Sequence, residues 1–374
     1  MEEKYVTGND LILFSRRPMV LSSPRVWRSY TGGMKIEEWQ GLPDPRDGEF
    51  PEVWVASIVT ARNPGREHIV EGLSMVDLGR RSATLKEMIE SDPVAFLGEE
   101  HVKKYGANTA VLAKVLDSKS RLPIQVHPDR EFARNVLASQ FGKTEAWYVL
   151  GGRQVDGEDP YLLFGFKPGM TREKWKELFE KQDIHGMINS LHRFPVVPGQ
   201  VLLIEGGMPH AIGPGCFLIE IQEPTDYTIR VERKMLNGRP IAESYYHQGV
   251  GFEKMFDCFH YDSYSYEETL KRWRLQPRTI REETGGSEYE LIGYADTDKF
   301  RLTKLEISDS LELQADGCFS TLIVLSGSGR IIVDGQETEL RKAGLIFLPA
   351  SLRSFRIQAT PGEELAIVRC HPPE

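Results

Sequence analysis

The sequence has few cysteines, no long hydrophobic run and no surplus of positive charge. Its 374 residues include four cysteines, which lie far apart and form no CxxC pair, so a disulfide framework and a thiolate zinc site are both disfavoured. No window approaches about 18 consecutive apolar residues, so we expect no membrane-spanning helix. The 46 Lys and Arg against 55 Asp and Glu give a net charge of −9, which argues against nonspecific binding to nucleic acid. An anionic ligand would need a local cluster of cations.

The beginning of the sequence also lacks the pattern of a secretory signal. MEEKYVTGNDLILFSRRP starts with acidic residues and contains no long apolar run, so we expect a cytoplasmic protein whose cysteines are free thiols. Hydrophobic residues make up 40% of the chain and charged residues 27%, which is the balance of an ordinary globular protein. The length suits two or three domains.

Short apolar segments dominate the chain. They are rich in Val, Ile, Leu and aromatic residues and are separated by Gly, Pro, Asp and Ser, which is typical of antiparallel strands joined by turns. The clearest strand segments lie at 110–118, 122–128, 144–152, 161–166, 200–207 and 216–223. Helical patterns are confined to 82–98, capped by Ser82 or Thr84, and 170–191, capped by Thr171. The predicted fold class is all-β with helical insertions.

A second β-rich block begins near Lys299. It contains VDGQ at 333–336, whose central Asp-Gly pair predicts a tight hairpin turn. The charged segment 270–290, with its Gly-Gly pair, is interpreted as a linker or bridging segment between the two blocks. We therefore predict a first domain at 1–270 and a second domain at 288–374.

Four residues of the first block form a candidate metal site. Gln125 and His127 stand two apart in PIQVHPD, so on a strand both side chains point to the same face. Glu145 opens a later strand in GKTEAWYVL, and His210 follows a turn in GGMPHAIGPG. Two imidazoles, one carboxylate and one amide oxygen suit Zn²⁺ and leave coordination for water or substrate. Two further histidines are interpreted as surface or packing residues: His185 and His192.

Two segments resemble the second sequence motif of the cupins, small jelly-roll barrels that hold a metal inside the barrel mouth. PGQVLLIEGGMPHAI (198–212) carries His210 at the ligand position, whereas KAGLIFLPASLRSFRI (342–357) carries Ser354 there. The resemblance implies two cupin barrels, the first with a metal and the second without metal ligands.

Five ordered blocks resemble the type I mannose-6-phosphate isomerases: LAKVLDSKSRLPIQVHPDREFA, GKTEAWYVL, GFKPGMTREKWKELF, PGQVLLIEGGMPHAIGPG and LIEIQEPTDYTIRVE. The likeness runs from about residue 110 to 235 and is weaker upstream and in the terminal block. It implies one zinc ion per chain, and its ligands would be Gln125, His127, Glu145 and His210. An ordered series of blocks is more specific than a single motif.

The resemblance also implies a reaction, the interconversion of mannose 6-phosphate and fructose 6-phosphate through a cis-enediol. It assigns active-site roles to Glu220 and Arg230, and a place in the pocket to Lys143. Glu220 is the first candidate for the general base and Lys143 the second. Lys114 and Arg230 are the expected contacts of a phosphate group.

Some positions depart from the family pattern. Pro123 stands where many members have Ser or Thr, and it offers neither a hydroxyl nor an N–H group. The segment VWRSYTGGMKIEEWQG (26–41) is divergent, and the long helical insertion of the eukaryotic enzymes is missing. Other functions therefore stay open: an isomerase of another phosphorylated or free sugar, a non-catalytic sugar-binding cupin, or an iron dioxygenase. The oligomeric state does not follow from the sequence.

Overall fold

Strands carry most of the fold. The computed structural model describes residues 11–63, 65–79, 81–234, 238, 240 and 242–374. The strands of this part of the chain are β1 (Met19–Ser22), β2 (Arg25–Val26), β3 (Glu52–Val55), β4 (Met75–Asp77), β5 (Ser82–Thr84), β6 (Leu112–Asp117), β7 (Gln125–Val126), β8 (Glu145–Gly152), β9 (Tyr161–Phe166), β10 (Leu191–Pro195), β11 (Val201–Ile204), β12 (His210–Ile212), β13 (Cys216–Gln222), β14 (Ile229–Arg230), β15 (Arg274–Leu275), β16 (Arg278–Glu283), β17 (Gly286–Ile292), β18 (Arg301–Ile307), β19 (Ser310–Gln314), β20 (Ser320–Ser326), β21 (Ser328–Val333), β22 (Gln336–Arg341), β23 (Leu345–Leu348), β24 (Ser354–Ala359) and β25 (Leu365–His371).

Short helices interrupt the strands. The α-helices of the described residues are Met34–Gln40, Leu85–Ser91, Pro93–Leu97, Glu99–Tyr105, Arg130–Leu137, Arg172–Lys181, Ile184–Asn189, Glu243–His247, Phe252–Met255 and Tyr266–Trp273, with 3₁₀ turns at Leu13–Arg16 and Phe256–Cys258. Within the described residues, no helix is both long and apolar enough to cross a membrane. The prediction of a β fold with helical insertions is confirmed.

The strands form four sheets that face one another in two pairs. The first sheet pair joins the seven-stranded order β15-β11-β8-β13-β6-β3-β2 to the five-stranded order β10-β9-β12-β7-β14. The second sheet pair joins the nine-stranded order β16-β17-β18-β25-β20-β23-β1-β4-β5 to the four-stranded order β19-β24-β21-β22. Each pair encloses its own apolar core, which is consistent with the predicted pair of cupin barrels.

Alternation along the strands separates the cores. On β13, Leu218 points into the first sheet pair, whereas Ile219 and Ile221 point outward to a core shared with the second pair. That shared core includes Phe347 and Val368 from the nine-stranded sheet. Fully burying such a side chain contributes roughly 1.5–3 kcal/mol, so the two sheet pairs are joined by a large apolar contact.

The nine-stranded sheet includes residues from both ends of the sequence. Strand β1 pairs antiparallel with β23, with Met19 opposite Phe347, and β4 and β5 extend the sheet beyond β1. Segments on both sides of the predicted division at 270–288 therefore share one sheet. The assignment of two domains stays a prediction.

Three of the sequence-based predictions about local structure were wrong. The segment 82–98 is strand β5 followed by two helices, because Asp92 and Pro93 end one helix and start the next. Helices are not confined to two places, since short ones also occur at Met34–Gln40 and Arg130–Leu137, among others. The charged segment 270–290 is not a linker but the end of a helix, the short strand β15, and the β16–β17 hairpin.

Other local predictions are confirmed. The six predicted strand segments each contain a strand, and Thr171 accepts a hydrogen bond from the Lys174 backbone N–H at the start of its helix. At the VDGQ turn, Asp334 and Gly335 have φ values of 48° and 77°, as a tight hairpin turn requires. All four cysteines, each in the described part of the chain, are free thiols.

Thr84, not Ser82, caps the helix Leu85–Ser91. The Thr84 hydroxyl accepts from the Glu87 N–H at 3.1 Å, and the Glu87 carboxylate accepts from the Thr84 N–H at 2.7 Å. We expect Thr84→Ala to lower the free energy of unfolding by about 1 kcal/mol. Ser82→Ala, an exposed change on β5, is the matched control and should stay within about 0.5 kcal/mol. Equal losses in urea titrations of the two variants would contradict the assignment.

Candidate metal centre and substrate cavity

The inner face of the seven-stranded sheet carries a row of charged side chains. Alternate residues of a strand point to the same face, so Glu220 shares the inner face with Leu218, and Lys114 shares it with Leu116. Glu220 lies opposite Lys114 on β6 and opposite Trp147 on β8. The same alternation turns Glu145, two residues before Trp147, into the first sheet pair.

The facing five-stranded sheet supplies the other candidate ligands. His210, the first residue of β12, lies opposite Gln125 on β7, and His127 follows β7 directly. A nitrogen of each histidine and a carboxylate oxygen of Glu145 all lie within 4.8 Å of one another, and the three residues are buried. The Gln125 amide nitrogen lies 3.2 Å from Nε2 of His210. The four residues predicted as ligands are thus brought to one point.

Backbone carbonyls orient both imidazole rings. Nδ1 of His127 lies 2.8 Å from the Tyr227 carbonyl, and Nδ1 of His210 lies 2.9 Å from the Met208 carbonyl. Because a carbonyl oxygen only accepts, each Nδ1 carries the proton, and each Nε2 presents a lone pair towards Glu145. Burial lowers the pKa of His127 to about 3, with the neighbouring Lys143 charge acting in the same direction. Burial also lowers the pKa of His210, so both rings are neutral, as metal ligands must be.

These donors fit a divalent cation of borderline character. Two imidazole nitrogens and a carboxylate, with an amide beside them, are a donor set typical of zinc. The Glu145 carboxylate is also held by a neighbouring side chain, since Nε1 of Trp147 donates to its Oε1 at 3.0 Å. Such a partner commonly orients a metal ligand. The Lys143 ammonium lies 2.6 Å from both Nε2 of His127 and Oε2 of Glu145. The buried Glu145 carboxylate therefore contacts Lys143 as well as the two histidines.

Lys114 and Glu220 form a buried ion pair. The Lys114 ammonium donates to Oε1 of Glu220 at 2.8 Å and lies 5.0 Å from the centre of the Trp54 ring. Both side chains line the cavity beside the candidate metal centre. Lys114, the lysine predicted to contact a phosphate group, is thus bound to Glu220, the first candidate for the general base.

Arg230 lines the same cavity without a carboxylate partner. Its Nη1 donates to two backbone carbonyls, those of Thr228 at 3.0 Å and Tyr245 at 3.4 Å. No carboxylate in the described residues forms an ion pair with it. Glu232 pairs instead with Arg121 at 2.6 Å, and Asp226 pairs with Arg28 at 2.9 Å. Burial lowers the pKa of Arg230 to about 10, which leaves the guanidinium charged at neutral pH. This cation is available to an anionic ligand.

The sequence patterns did not identify several residues that line the cavity as candidate site residues. Arg28 donates to Glu52 at 3.0 Å and to both oxygens of Asp226, at 2.9 and 3.1 Å. The Tyr30 hydroxyl also donates to Glu52, at 2.8 Å. Arg28 and Tyr30 come from the divergent segment 26–41, which matches no motif, and no local pattern indicated their burial.

The remaining predicted positions also have a clear place. Pro123 lines the cavity and offers no polar group to it. His185 is exposed on the helix Ile184–Asn189. His192 is buried, and its Nε2 bonds with the Tyr264 carbonyl at 2.9 Å. Neither histidine approaches the metal centre, in agreement with their interpretation as surface and packing residues.

Comparisons with known proteins point to one family. Residues 44–145 match the model of the type I phosphomannose isomerase catalytic domain, and residues 291–372 match that of the mannose-6-phosphate isomerase cupin domain. A Bacillus subtilis protein named "Probable mannose-6-phosphate isomerase GmuF" is 27% identical over 342 residues, covering 90% of this chain and 93% of the relative. The mannose-6-phosphate isomerase of Streptococcus mutans is 27% identical over 290 residues, covering 75% and 81%.

A solved structure shares the fold. The crystal structure of the mannose 6-phosphate isomerase from Bacillus subtilis superposes with a TM-score of 0.69 at 23% identity, covering 95% of this chain and 99% of that one. At that identity the likeness concerns the fold alone, whereas the two family models and the relatives concern the sequence. Together they show that the chain is similar to the type I mannose-6-phosphate isomerases over most of its length.

Proposed function

We propose that the protein is a zinc-dependent isomerase that interconverts mannose 6-phosphate and fructose 6-phosphate through a cis-enediol. One observation carries the proposal. The cavity lined by Arg230, a cation without a carboxylate partner among the described residues, is also lined by Gln125 and Lys143. These two side chains lie directly against the convergent donors of His127, Glu145 and His210. A metal centre beside an anion-binding arginine suits a metal-dependent isomerase of a sugar phosphate.

Gln125, His127, Glu145 and His210 would hold the metal. A bound zinc ion supplies Lewis-acid polarisation of the sugar carbonyl and of the neighbouring hydroxyl. Gln125 would turn its amide oxygen to the ion, which is the ordinary donor atom of this side chain. The Trp147 N–H and the two backbone carbonyls keep the ligands oriented.

Glu220 is the better candidate for the general base. The reaction moves a proton between C1 and C2, so one group must accept the proton from one carbon and return it to the other. The Lys143 Nζ lies 2.6 Å from both Oε2 of Glu145 and Nε2 of His127, so two candidate ligands engage it. Glu220 lines the cavity, and Lys114 fixes its position from one side. Burial raises the pKa of Glu220, as suits a group that takes up a proton.

Arg230 would bind the phosphate. A phosphate dianion needs local cations in a chain of net charge −9, and the planar guanidinium can meet two of its oxygens at once. Arg28 is engaged by two carboxylates and Lys114 by one. Arg230 is therefore better placed than Lys114 to make the direct contact.

Replacing Arg230 by Met tests this proposal. We expect kcat/KM for mannose 6-phosphate to fall roughly 10- to 150-fold, which corresponds to the loss of one charge-assisted hydrogen bond. Turnover of free mannose, whatever its initial rate, should change little, because that sugar has no phosphate to lose. Both sugars are assayed on both proteins by the rate at which ketose appears.

Free mannose serves as the internal control for damage to the metal centre. If Arg230→Met lowers the turnover of both sugars equally, Arg230 acts on the reacting carbons and not on the phosphate. If the unaltered protein prefers free mannose or another sugar phosphate, the proposed substrate is wrong.

A further inference from the structure

Four neighbouring strands of the second sheet pair repeat the order of four strands of the first. The first pair has the neighbouring strands β11-β8-β13-β6, and the second has β23-β20-β25-β18 in the same order. On β11, Ile204 lies opposite Glu145, and on β23 the equivalent Leu348 lies opposite Ser320. Ser320 therefore occupies the position of the ligand Glu145.

The same register identifies the counterparts of the active-site pair. In the first sheet pair, Glu220 lies opposite Lys114 and opposite Trp147, two residues after Glu145. In the second, Arg369 lies opposite Thr303 and opposite Leu322, two residues after Ser320. A cation thus stands where the first sheet pair has its candidate base, and hydroxyls stand where it has a carboxylate and a lysine.

This end of the second sheet pair opens into a cavity of about 520 Å³, which the helix Glu99–Tyr105 covers. Three polar residues with exposures of only 4–6% line it, namely Arg369, His371 and His101. Nδ1 of His101 and Nε2 of His371 are buried and have no hydrogen-bond partner in the described residues. Buried polar groups without partners are rare, so these atoms indicate a ligand.

The buried charge in the cavity is positive, because the carboxylates that line it are all exposed: Glu99, Glu100, Asp316 and Glu374. Arg369 donates through Nε to the Ser320 hydroxyl at 2.9 Å, and no carboxylate of the described residues forms an ion pair with it. Asp316 and Glu288 act on it only at longer range; Asp316 is exposed, and Glu288 pairs with Arg281 at 3.3 Å. Burial lowers the pKa of Arg369 to about 10, so the guanidinium stays charged at neutral pH.

We propose that this cavity is a second ligand site, which binds a small tetrahedral oxyanion such as a phosphate group. The guanidinium of Arg369 supplies the charge and a forked pair of donors, and Nε2 of His371 can supply a further N–H group. Nε2 of His101 donates to the Asn108 carbonyl at 2.7 Å, so the free Nδ1 of this ring presents a lone pair that can accept from a protonated phosphate oxygen. The site does not depend on the metal centre or on the function proposed for it.

Inorganic phosphate is the probe for calorimetric titration. The titrations use the Arg230→Met protein, which lacks the phosphate contact proposed for the first cavity, and the Arg230→Met/Arg369→Met double variant. We expect the first protein to bind phosphate and the second to bind it roughly 10- to 150-fold more weakly. His371→Leu in the same Arg230→Met background should also weaken binding, and it provides a second variant if Arg369→Met fails to fold.

Thermal unfolding separates this role from a structural one. Replacing an unpaired buried guanidinium by an apolar side chain of similar length should leave the melting temperature unchanged or raise it. Arg153→Met is the matched control, because Arg153 pairs with Asp47 at 2.6 Å outside the cavity; it should lower the melting temperature and leave phosphate binding intact. Absence of phosphate binding to the Arg230→Met protein, or equal binding by the double variant, would overturn the proposal.

Discussion

The His127→Ala variant is expected to lose its bound zinc and to slow the isomerisation by roughly 1000-fold or more. The ring contributes one of two neutral nitrogens that face Glu145, and partners one step further from a metal already cost 10- to 100-fold when removed. Loss of the Lewis acid forfeits several kcal/mol of transition-state stabilisation, which corresponds to about three orders of magnitude in rate. Elemental analysis of the purified variant and a ketose-formation assay measure the two effects.

His192→Ala is the matched control for that experiment. His192 is also buried and also bonds with a backbone carbonyl, but it lies away from the candidate ligands, so its loss should leave zinc and turnover in place. The unaltered protein should contain about one zinc per chain. A stoichiometry near two, or full activity of His127→Ala with zinc still bound, would rule out the single centre.

The Glu220→Gln variant should retain zinc and lose roughly 100- to 10,000-fold in kcat, the usual contribution of a positioned general base. The amide has the shape of the carboxylate but cannot accept the proton from carbon. Exchange of the C2 hydrogen of the substrate with solvent deuterium, followed by NMR, reports that proton transfer directly. It should disappear together with turnover.

Stability must be measured beside activity in this variant. Gln at position 220 leaves the Lys114 ammonium without its carboxylate, and breaking a buried pair from one side costs up to about 3–5 kcal/mol. Asp117→Asn is the control, since Asp117 is a buried carboxylate on the same strand as Lys114 and pairs with Arg153 at 3.4 Å. It should lose stability and keep its rate constant. Normal hydrogen exchange by Glu220→Gln would transfer the role of base to Lys143.

The sequence predicted those parts of the site that follow from short-range spacing. Gln125 and His127 share a strand face because side chains alternate, and VDGQ forms its turn because Asp and Gly accept positive φ. Each of these rules operates within a few residues. They were sufficient to find the strands and the candidate ligands.

Pairings between distant segments could not be predicted in the same way. Nothing near Lys114 indicates that Glu220, 106 residues away, would bind its ammonium. Arg28 meets Asp226 across 198 residues, and its segment 26–41 resembles no motif. The charged segment 270–290 has the composition of a linker because β16 is exposed along most of its length. The hairpin that it forms joins a sheet only through the pairing of β17 with β18, which lies outside the segment.

The pairing of β1 with β23 has a consequence for how the protein is made. Met19 leaves the ribosome long before its partner Phe347 is synthesised. Contacts of such large sequence separation form slowly, and until they form, β1 presents unpaired backbone groups to neighbouring chains. The nascent protein therefore cannot finish its larger sheet before β23 has been synthesised. A fragment ending before β23 would expose one edge of β1 with unpaired backbone N–H and C=O groups, which favours aggregation. Chaperones that bind the nascent chain would therefore protect its N-terminal half in particular.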